Sequence, residues 1–577
     1  MLRLARPLQG CVVLSWATRE RPQSLGRRSL SSSSRRLKHF YVTTPIFYVN
    51  ADPHIGHLHS TLLADVYARW NRVRHPDHDS ILCTGTDEHG LKIQRVAEAN
   101  GESPHELCDR VSHRFKELAK AANVDYSIFI RTTEARHRTA VEQVWTELEK
   151  RGFIYKSSYA GWYAVSDEAY YGENQVGEVI DAKSGEKYMA STETGSRVEW
   201  TEEENFKFKL SAFREPLLKW LSSTPHPVQP PSRTTSLLAS LASPTSTDLA
   251  DLSISRPRSR LTWGIPVPSD SNHTIYVWID ALVNYLTAAG YPWKGGEAYE
   301  EGAVWPPDLQ VVGKDIIRFH ALYLPAVLLA LDLPLPRHLL THGHWTMDKF
   351  KMSKSRGNVA NPFESMSLWG TDAVRMYLMR NGGNSATDAD WHAGEVERFY
   401  RKDLAGQMGN LLNRVSNKKL VRKLDDEPAL WTEPQEWLED DRELVKLLNE
   451  LPDAFAQHLS TFEVHRALAL VFDALAASNR HVQLLSPWLA DSTPRTTHRA
   501  LYLGFETLRI VGILLQPFMP TKANELLDAI GVARGERGWD HVGFGKGGER
   551  TAPKAIKGGL WPQVGAVPPT SPPSETR

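Results

Sequence analysis

The junction around His54-Ile55-Gly56-His57 constrains the fold more tightly than any other stretch of this chain. Before it, His39 to Val49 (HFYVTTPIFYV) is aromatic and β-branched over a strand's length, and Asn50, Asp52 and Pro53 break the run. After it, Leu58, Leu62, Val66, Trp70 and Val73 recur every three or four residues, with Asp65, Arg69 and Arg72 between them, which predicts an amphipathic helix. Ser80 to Thr86 (SILCTGT) then reads as a second strand. Strand, loop, helix, strand is a βαβ unit, so the sheet is expected to be parallel and the four-residue signal to lie at a helix N-terminus. Unpaired backbone N–H groups and the positive end of the helix dipole meet there and favour phosphate. Imidazole donors at His54 and His57, with no side chain at Gly56, suit close approach of a nucleotide, although the isolated string also fits a plain loop-to-helix junction.

A second signal, Lys351-Met352-Ser353-Lys354-Ser355, follows the strand-like run Arg337 to Trp345 (RHLLTHGHW) and precedes the turn Arg356-Gly357-Asn358. A mobile loop carrying Lys351 and Lys354 can bring ammonium groups onto a triphosphate and offset the charge of departing pyrophosphate. The alternative is a solvated surface. Both signals in one chain point to nucleotidyl transfer onto a carboxylate.

With the two signals in this order, the chain resembles the class I aminoacyl-tRNA synthetases, and from about Phe40 to Trp561 it resembles their methionyl branch. The segments that carry this are Thr43 to Asn50 (TTPIFYVN), Cys83 to Gly90 (CTGTDEHG), Ile254 to Arg256 (ISR), Tyr276 to Tyr285 (YVWIDALVNY), Gly313 to His320 (GKDIIRFH) and Pro487-Trp488. The resemblance implies an α/β fold: a Rossmann-like parallel-sheet catalytic domain with an inserted connective domain, followed by an α-helical bundle that binds the anticodon. It implies a methionine-tRNA ligase that uses ATP, with Mg²⁺ arriving in the ATP complex, to form methionyl-adenylate and pyrophosphate, and then passes methionyl to the 3′ end of tRNA(Met).

Carried over by position, the resemblance assigns catalysis to His54, His57, Lys351 and Lys354. It assigns ATP binding to these four with Gly56, Gly313, Asp315, Met352, Ser353 and Ser355. Methionine binding falls to Ile46, Tyr48, Asp87, Arg256, Trp278, Leu282, Tyr285 and His320. A carboxylate at Asp87 suits the substrate ammonium, and an aromatic wall with one hydrogen-bonding side chain suits a soft thioether. On local sequence alone Asp87 could cap a helix starting near Glu88, and Trp278, Tyr285 and His320 could be core. One position departs from the family pattern: Leu324 stands where a tryptophan is expected four residues after the histidine.

Relatives often hold zinc in the connecting region, with clustered cysteine ligands. This chain has three cysteines, Cys11, Cys83 and Cys108, none of them there, so neither structural zinc nor any other resident metal is expected, nor a disulfide framework. Trp162 to Asn174 (WYAVSDEAYYGEN) has Ala164 in place of a metal-binding cysteine. Ser222 to Ser253, rich in Ser, Thr and Pro, reads as a surface loop. No stretch is apolar for long enough to span a membrane.

From about Glu395 the periodicity turns helical: Leu404, Met408, Leu411 and Leu412, then Leu444, Leu447, Leu448 and Leu451, then Leu468, Val471, Phe472 and Leu475. Asn410 and Arg414, one turn apart, and Trp488 could be ordinary surface and core residues. By the resemblance they read the CAU anticodon, with bases laid on the ring and their edges met by amide and guanidinium groups. Lys+Arg and Asp+Glu balance at 68 each, so any basic surface for nucleic acid is local.

Residues 1–38 hold eight arginines, the Ser31 to Ser34 run and only Glu20 as an acid, the composition of a mitochondrial transit peptide, with a basic RNA-binding arm as the alternative. The chain is thus expected to divide into the transit peptide 1–38, a catalytic domain in 39–130 and 272–345, a zinc-free insertion 131–271, a lysine-loop and stem-contact region 346–394, a helical anticodon-binding domain 395–535, and a strap and tail 536–577. The expected setting is the mitochondrial matrix, and the expected state a monomer. Leucine, isoleucine or valine enzymes of the same class would carry a larger insertion, a cysteine enzyme would need zinc, and a non-catalytic relative would have no use for intact His54, His57, Lys351 and Lys354.

Overall fold

The central layer is a six-stranded, all-parallel sheet whose strands lie in the order Ile128–Arg131, Asp79–Asp87, His39–Tyr48, Leu309–Gly313, Leu339–His342 and Val228–Gln229. In this computed structural model, residues 38–164, 169–180, 185–242, 247–293, 304–352, 358–383, 386–424, 432–548, 553–554 and 556–564 are described. The proposed leader 1–38 therefore lies almost wholly outside the described residues, as does Ser353 to Gly357 of the lysine loop.

The His39–Tyr48 strand runs out of the sheet between its two halves, because the chain continues to one side through Asp79–Asp87 and returns on the other at Leu309–Gly313. At such a switch point the connections diverge and leave a crevice beyond the strands' carboxyl ends, where ligands of parallel sheets bind. The following helix, Ile55–Arg74, buries Leu58, Leu62, Val66 and Trp70 as the periodicity requires. Asp65, expected on its polar face, is also fully buried. Its carboxylate meets Arg69 at 2.8 Å and Arg375 at 2.6 Å, because the helical C-terminal region covers this second face. The buried Arg375 guanidinium also donates to the carbonyls of Ala122, Pro517 and Phe518.

The insertion contains the long antiparallel pair Ile154–Ala164 and Glu199–Phe208. The reading of Ser222 to Ser253 as a surface loop fails. Val228–Gln229 forms the edge strand of the main sheet against Leu339 and Leu340, and Pro231–Ala242 is a helix burying Thr234, Leu237 and Leu241. Two paired residues are too short to produce a periodicity. Pro231, which reads as a breaker, opens the helix with its φ already set.

Beyond the catalytic sheet, Glu439–Ser460, Val464–Leu485 and Pro494–Leu514 pack as helices around Leu448, Phe455, Leu468, Val471 and Phe505. Residues 556–564 return to the start of this region, where Trp561 is buried against Tyr400 and the Tyr400 hydroxyl donates to the Pro562 carbonyl at 2.7 Å. Among the described residues no helix is long and apolar enough to cross a membrane.

Candidate active site

His54 is the N-cap of Ile55–Arg74, and the two histidines of the signal form an imidazole capping box. The Gly56 N–H donates to His54 Nδ1 at 3.0 Å, and the His54 N–H donates to His57 Nδ1 at 3.1 Å. Two of the helix's orphan donors are thereby satisfied. An accepting Nδ1 fixes the proton on Nε2, so both rings are neutral tautomers that offer an Nε2–H. The rings stack with centroids 3.8 Å apart, and burial first, then the neighbouring His54, hold the His57 imidazole well below its usual range. A Cβ at Gly56 would come within 2.9 Å of the His54 ring, so the glycine serves the cap as well as the approach of a ligand.

These residues line a cavity of about 330 Å³ at the sheet's switch point. Gly313 and Asp315 face them from the end of the Leu309–Gly313 strand, and Met352 closes the wall from the lysine loop. The residues assigned to ATP by the resemblance that lie within the described set are thus brought together, with two restrictions. Lys351 belongs to a short strand paired with Thr346, but its side chain is not described, and Ser353, Lys354 and Ser355 lie outside the described residues. Ser60, His342 and His344, which the sequence reading missed, line the same cavity. His342 Nε2 is 2.8 Å from Ser60 Oγ, and His344 Nε2 is 3.1 Å from Asp315 Oδ1. The spacing Thr341-His342-Gly343-His344, which places two histidines and a glycine at a strand end as in the first signal, was the clue available.

A second cavity, about 300 Å³, lies beside the first. Pro45, Ile46, Tyr48 and Ile316 line both. Its remaining walls hold Asp87, Trp278, Leu282, Tyr285 and His320, so seven of the eight residues assigned to methionine meet here. Arg256 is the exception. It is buried behind the pocket with its guanidinium 3.7 Å from the centroid of Tyr276, and it is Tyr276 that lines the cavity. Asp87 ends the second strand, and the next helix starts at Leu91 with Gly90 as its N-cap, so Asp87 is not a helix cap.

His320 is buried but accounted for. Its Nδ1–H donates to the Ile316 carbonyl at 2.9 Å, and its Nε2 accepts from the Tyr285 hydroxyl at 2.7 Å. Burial lowers this imidazole to about 4, so it is neutral at physiological pH. Phe319 to Tyr323 form a π-helical turn, and Leu324 after it is buried in the core and does not line the cavity, while the Tyr323 ring packs at a tilt against Trp278 with centroids 5.5 Å apart. The position that departs from the family pattern therefore changes the packing behind the pocket, with the Trp278 side chain supported by Tyr323.

One buried element was invisible to motif reading. Asp280 lies on the pocket helix Val277–Ala288, and its carboxylate takes His89 Nδ1 at 2.6 Å and His137 Nε2 at 2.8 Å. Burial alone would push the Asp280 carboxyl up, but the two histidines outweigh it and hold the group at about 2. His89 sits two residues after Asp87, so this clamp fastens the Asp87 loop to the pocket helix.

At the far end of the chain Asn410, Arg414 and Trp488 do converge. The Arg414 guanidinium lies 5.7 Å from the Trp488 ring centroid, and Asn410 bonds to Asn479 at 3.2 Å. Trp488 is 42 % exposed, and Leu484 and Leu489 beside it in sequence are exposed as well. Such a ring is open for stacking and is not core.

A cavity at the switch point of a parallel sheet, a histidine-capped helix beneath it and an adjoining aromatic pocket make the arrangement expected of a class I synthetase catalytic unit. The family described as tRNA synthetases class I (M) matches residues 40–416, and the anticodon binding domain of methionyl tRNA ligase matches 432–543. The probable mitochondrial methionine–tRNA ligase of Neurospora crassa is 43% identical over 534 residues, covering 89% of this chain and 84% of that protein. The mitochondrial methionine–tRNA ligase of Homo sapiens is 41% identical, covering 87% of this chain and 86% of that protein. Among solved structures, Mycobacterium tuberculosis methionyl-tRNA synthetase in complex with methionyl-adenylate superposes with a TM-score of 0.81 at 33% identity, covering 91% of this chain and all of the other. The chain belongs to the methionyl-tRNA synthetases, the methionine-tRNA ligases of class I.

Proposed function

We propose that the two adjoining cavities hold the two halves of methionyl-adenylate, and that the chain makes this intermediate and delivers its methionyl group to tRNA(Met) in the mitochondrial matrix, acting as a monomer. The observation that carries this reading is the shared wall of Pro45, Ile46, Tyr48 and Ile316. An amino acid in the aromatic pocket and a nucleotide beneath the histidines would meet across it with the carboxylate facing the α-phosphate.

Asp87 receives the methionine ammonium, and the Tyr285–His320 pair presents a fixed polar edge to the thioether. ATP enters with Mg²⁺ as its substrate complex. The methionine carboxylate forms a bond to the α-phosphorus, the α–β anhydride bond breaks, and pyrophosphate leaves. His54 and His57 stabilise the phosphate oxygens through their Nε2–H groups, and Lys351 and Lys354 neutralise the leaving group. In the second step the terminal ribose hydroxyl of the tRNA attacks the methionyl carbonyl, AMP departs with the bonding electrons, and the hydroxyl proton passes to its phosphate. Positioning supplies most of the acceleration. The mitochondrial names of the relatives and the arginine-rich leader support the location.

The test is amino-acid-dependent exchange of pyrophosphate into ATP by protein lacking residues 1–38, with methionine, leucine, isoleucine, valine and cysteine supplied separately. Exchange with methionine alone is expected. Exchange with another amino acid, or none with any, would refute the assignment.

A further inference from the structure

Trp488 stands in water on a turn that has to be held open. The helix Val464–Leu485 is followed by Ser486, whose φ of 40° lies in the left-handed region that side chains disfavour. Pro487 is buried, while Trp488, Leu489 and, on the last turn of the helix, Leu484 are exposed. An indole and two leucines in water gain by collapsing onto one another or onto the bundle, so a free turn would hide the ring for part of the time.

The fastening comes from another element. Lys423 follows the short helix Lys418–Val421, which is anchored by buried Leu420 and Val421. Its ammonium donates to the Pro487 carbonyl at 2.9 Å and to the Leu489 carbonyl at 2.8 Å. These carbonyls stand one residue before and one residue after Trp488, so the clamp grips the backbone on both sides of the ring. Two of the three ammonium N–H groups are thereby committed to the protein. Arg414 reaches the ring by a separate route, with its guanidinium 5.7 Å from the centroid and held by the Gln483 side chain at 3.3 Å. The two cations thus have different tasks, one beside the ring and one behind its backbone.

We propose that Lys423 is a positioning residue for anticodon recognition: it fixes the turn that carries Trp488, so that the ring stays free to stack on an unpaired base. The inference rests on the assignment of the anticodon to Asn410, Arg414 and Trp488. A binding surface that is formed only part of the time lowers apparent affinity by the fraction formed, so the clamp contributes affinity without touching the RNA.

The experiment uses the full chain with Lys423→Met, which keeps the aliphatic stem and removes the donors, Lys423→Arg, Trp488→Ala, and Lys423→Met combined with Trp488→Ala. Three quantities are measured: the KM for a CAU-anticodon tRNA transcript in aminoacylation, methionine-dependent pyrophosphate exchange without tRNA, and the salt dependence of tRNA affinity. A ring in place for between a third and a tenth of the time raises the tRNA KM of Lys423→Met roughly threefold to tenfold. Exchange and the salt slope should be unchanged, and Lys423→Arg, which keeps two donors, should stay within twofold of the unaltered protein. In the Trp488→Ala background the effect of Lys423→Met should disappear, because the two residues act as one unit. An unchanged tRNA KM in Lys423→Met would overturn the proposal. So would an equal rise with and without Trp488, accompanied by a salt slope shallower by roughly 0.7, since Lys423 would then be a phosphate contact. An unchanged tRNA KM in Trp488→Ala would instead overturn the anticodon assignment on which the inference rests.

Discussion

Asp280→Asn gives the sharpest test of how the aromatic pocket proposed for methionine keeps its shape. Asparagine preserves the volume and one accepting oxygen, but it cannot hold both rings, since its amide nitrogen faces an imidazole N–H where a carboxylate oxygen was. The structure shows two charge-assisted hydrogen bonds, at 2.6 and 2.8 Å, on a fully buried carboxylate. One such bond is worth roughly 1.5–3 kcal/mol, so the clamp weakens by about 2 kcal/mol. The strain falls between His89, tied to Asp87, and a helix carrying Trp278, Leu282 and Tyr285. If half or all of it reaches the ammonium site, the KM for methionine in pyrophosphate exchange rises about fivefold to thirtyfold. The KM for ATP is expected to stay within twofold, because His54, His57 and Gly313 lie on other elements. Methionine KM titrated at saturating ATP, beside ATP KM at saturating methionine, separates the outcomes. An unchanged methionine KM in a variant whose thermal stability has fallen would refute the reasoning and leave the triad as packing. An equal rise for both substrates would do the same.

Three further outcomes are expected. His57→Ala removes both a cap acceptor and a phosphate donor, so exchange should fall by roughly 10²- to 10³-fold with methionine affinity unchanged, and a loss below tenfold would count against the histidine's role. His320, lowered to about 4 by burial, contributes stability that is complete above its ordinary value near 6.5 and is lost as pH falls from there towards 4. The loss is about 3 kcal/mol, and it should vanish from the pH profile of denaturant unfolding in His320→Asn, so superimposable profiles would contradict it. Trp488→Ala should leave pyrophosphate exchange untouched while raising the KM for tRNA by about fivefold to a hundredfold, the worth of one stacked base, and an unchanged KM would remove Trp488 from the recognition face.

The parts of the fold and site most legible in the sequence are those built from local regularities. The strand, loop and helix around His54 follow from periodicity and turn residues. Ile46, Tyr48, Asp87, Trp278, Leu282, Tyr285 and His320, singled out on short quoted segments far apart in the chain, line one cavity. What stayed hidden depends on partners distant in the chain. Asp65 reads as a solvent-facing acid until Arg375, far along the sequence, is seen to cover it. Asp280 is one letter in an apolar run, and only the fold brings His89 and His137 to it. Val228–Gln229 joins the sheet through pairing with Leu339 and Leu340, and two residues carry no pattern of their own. Arg256 is placed near the pocket by resemblance, whereas the structure interposes Tyr276.

The buried Arg375 sets a distance. Its Nη2 donates both to Asp65, in the middle of the helix whose first turn lines the switch-point cavity, and to the Pro517 carbonyl, while its Nε donates to the Phe518 carbonyl, both just after the helix Pro494–Leu514 of the bundle. Slack between the two regions would leave an unsatisfied guanidinium or carboxylate away from water, at a cost of several kcal/mol. The catalytic sheet's first helix and the helical bundle are thus fastened at one buried point and held at a set spacing. Any ligand that touched both regions at once would therefore meet a fixed spacing and would have to adapt its own shape to it.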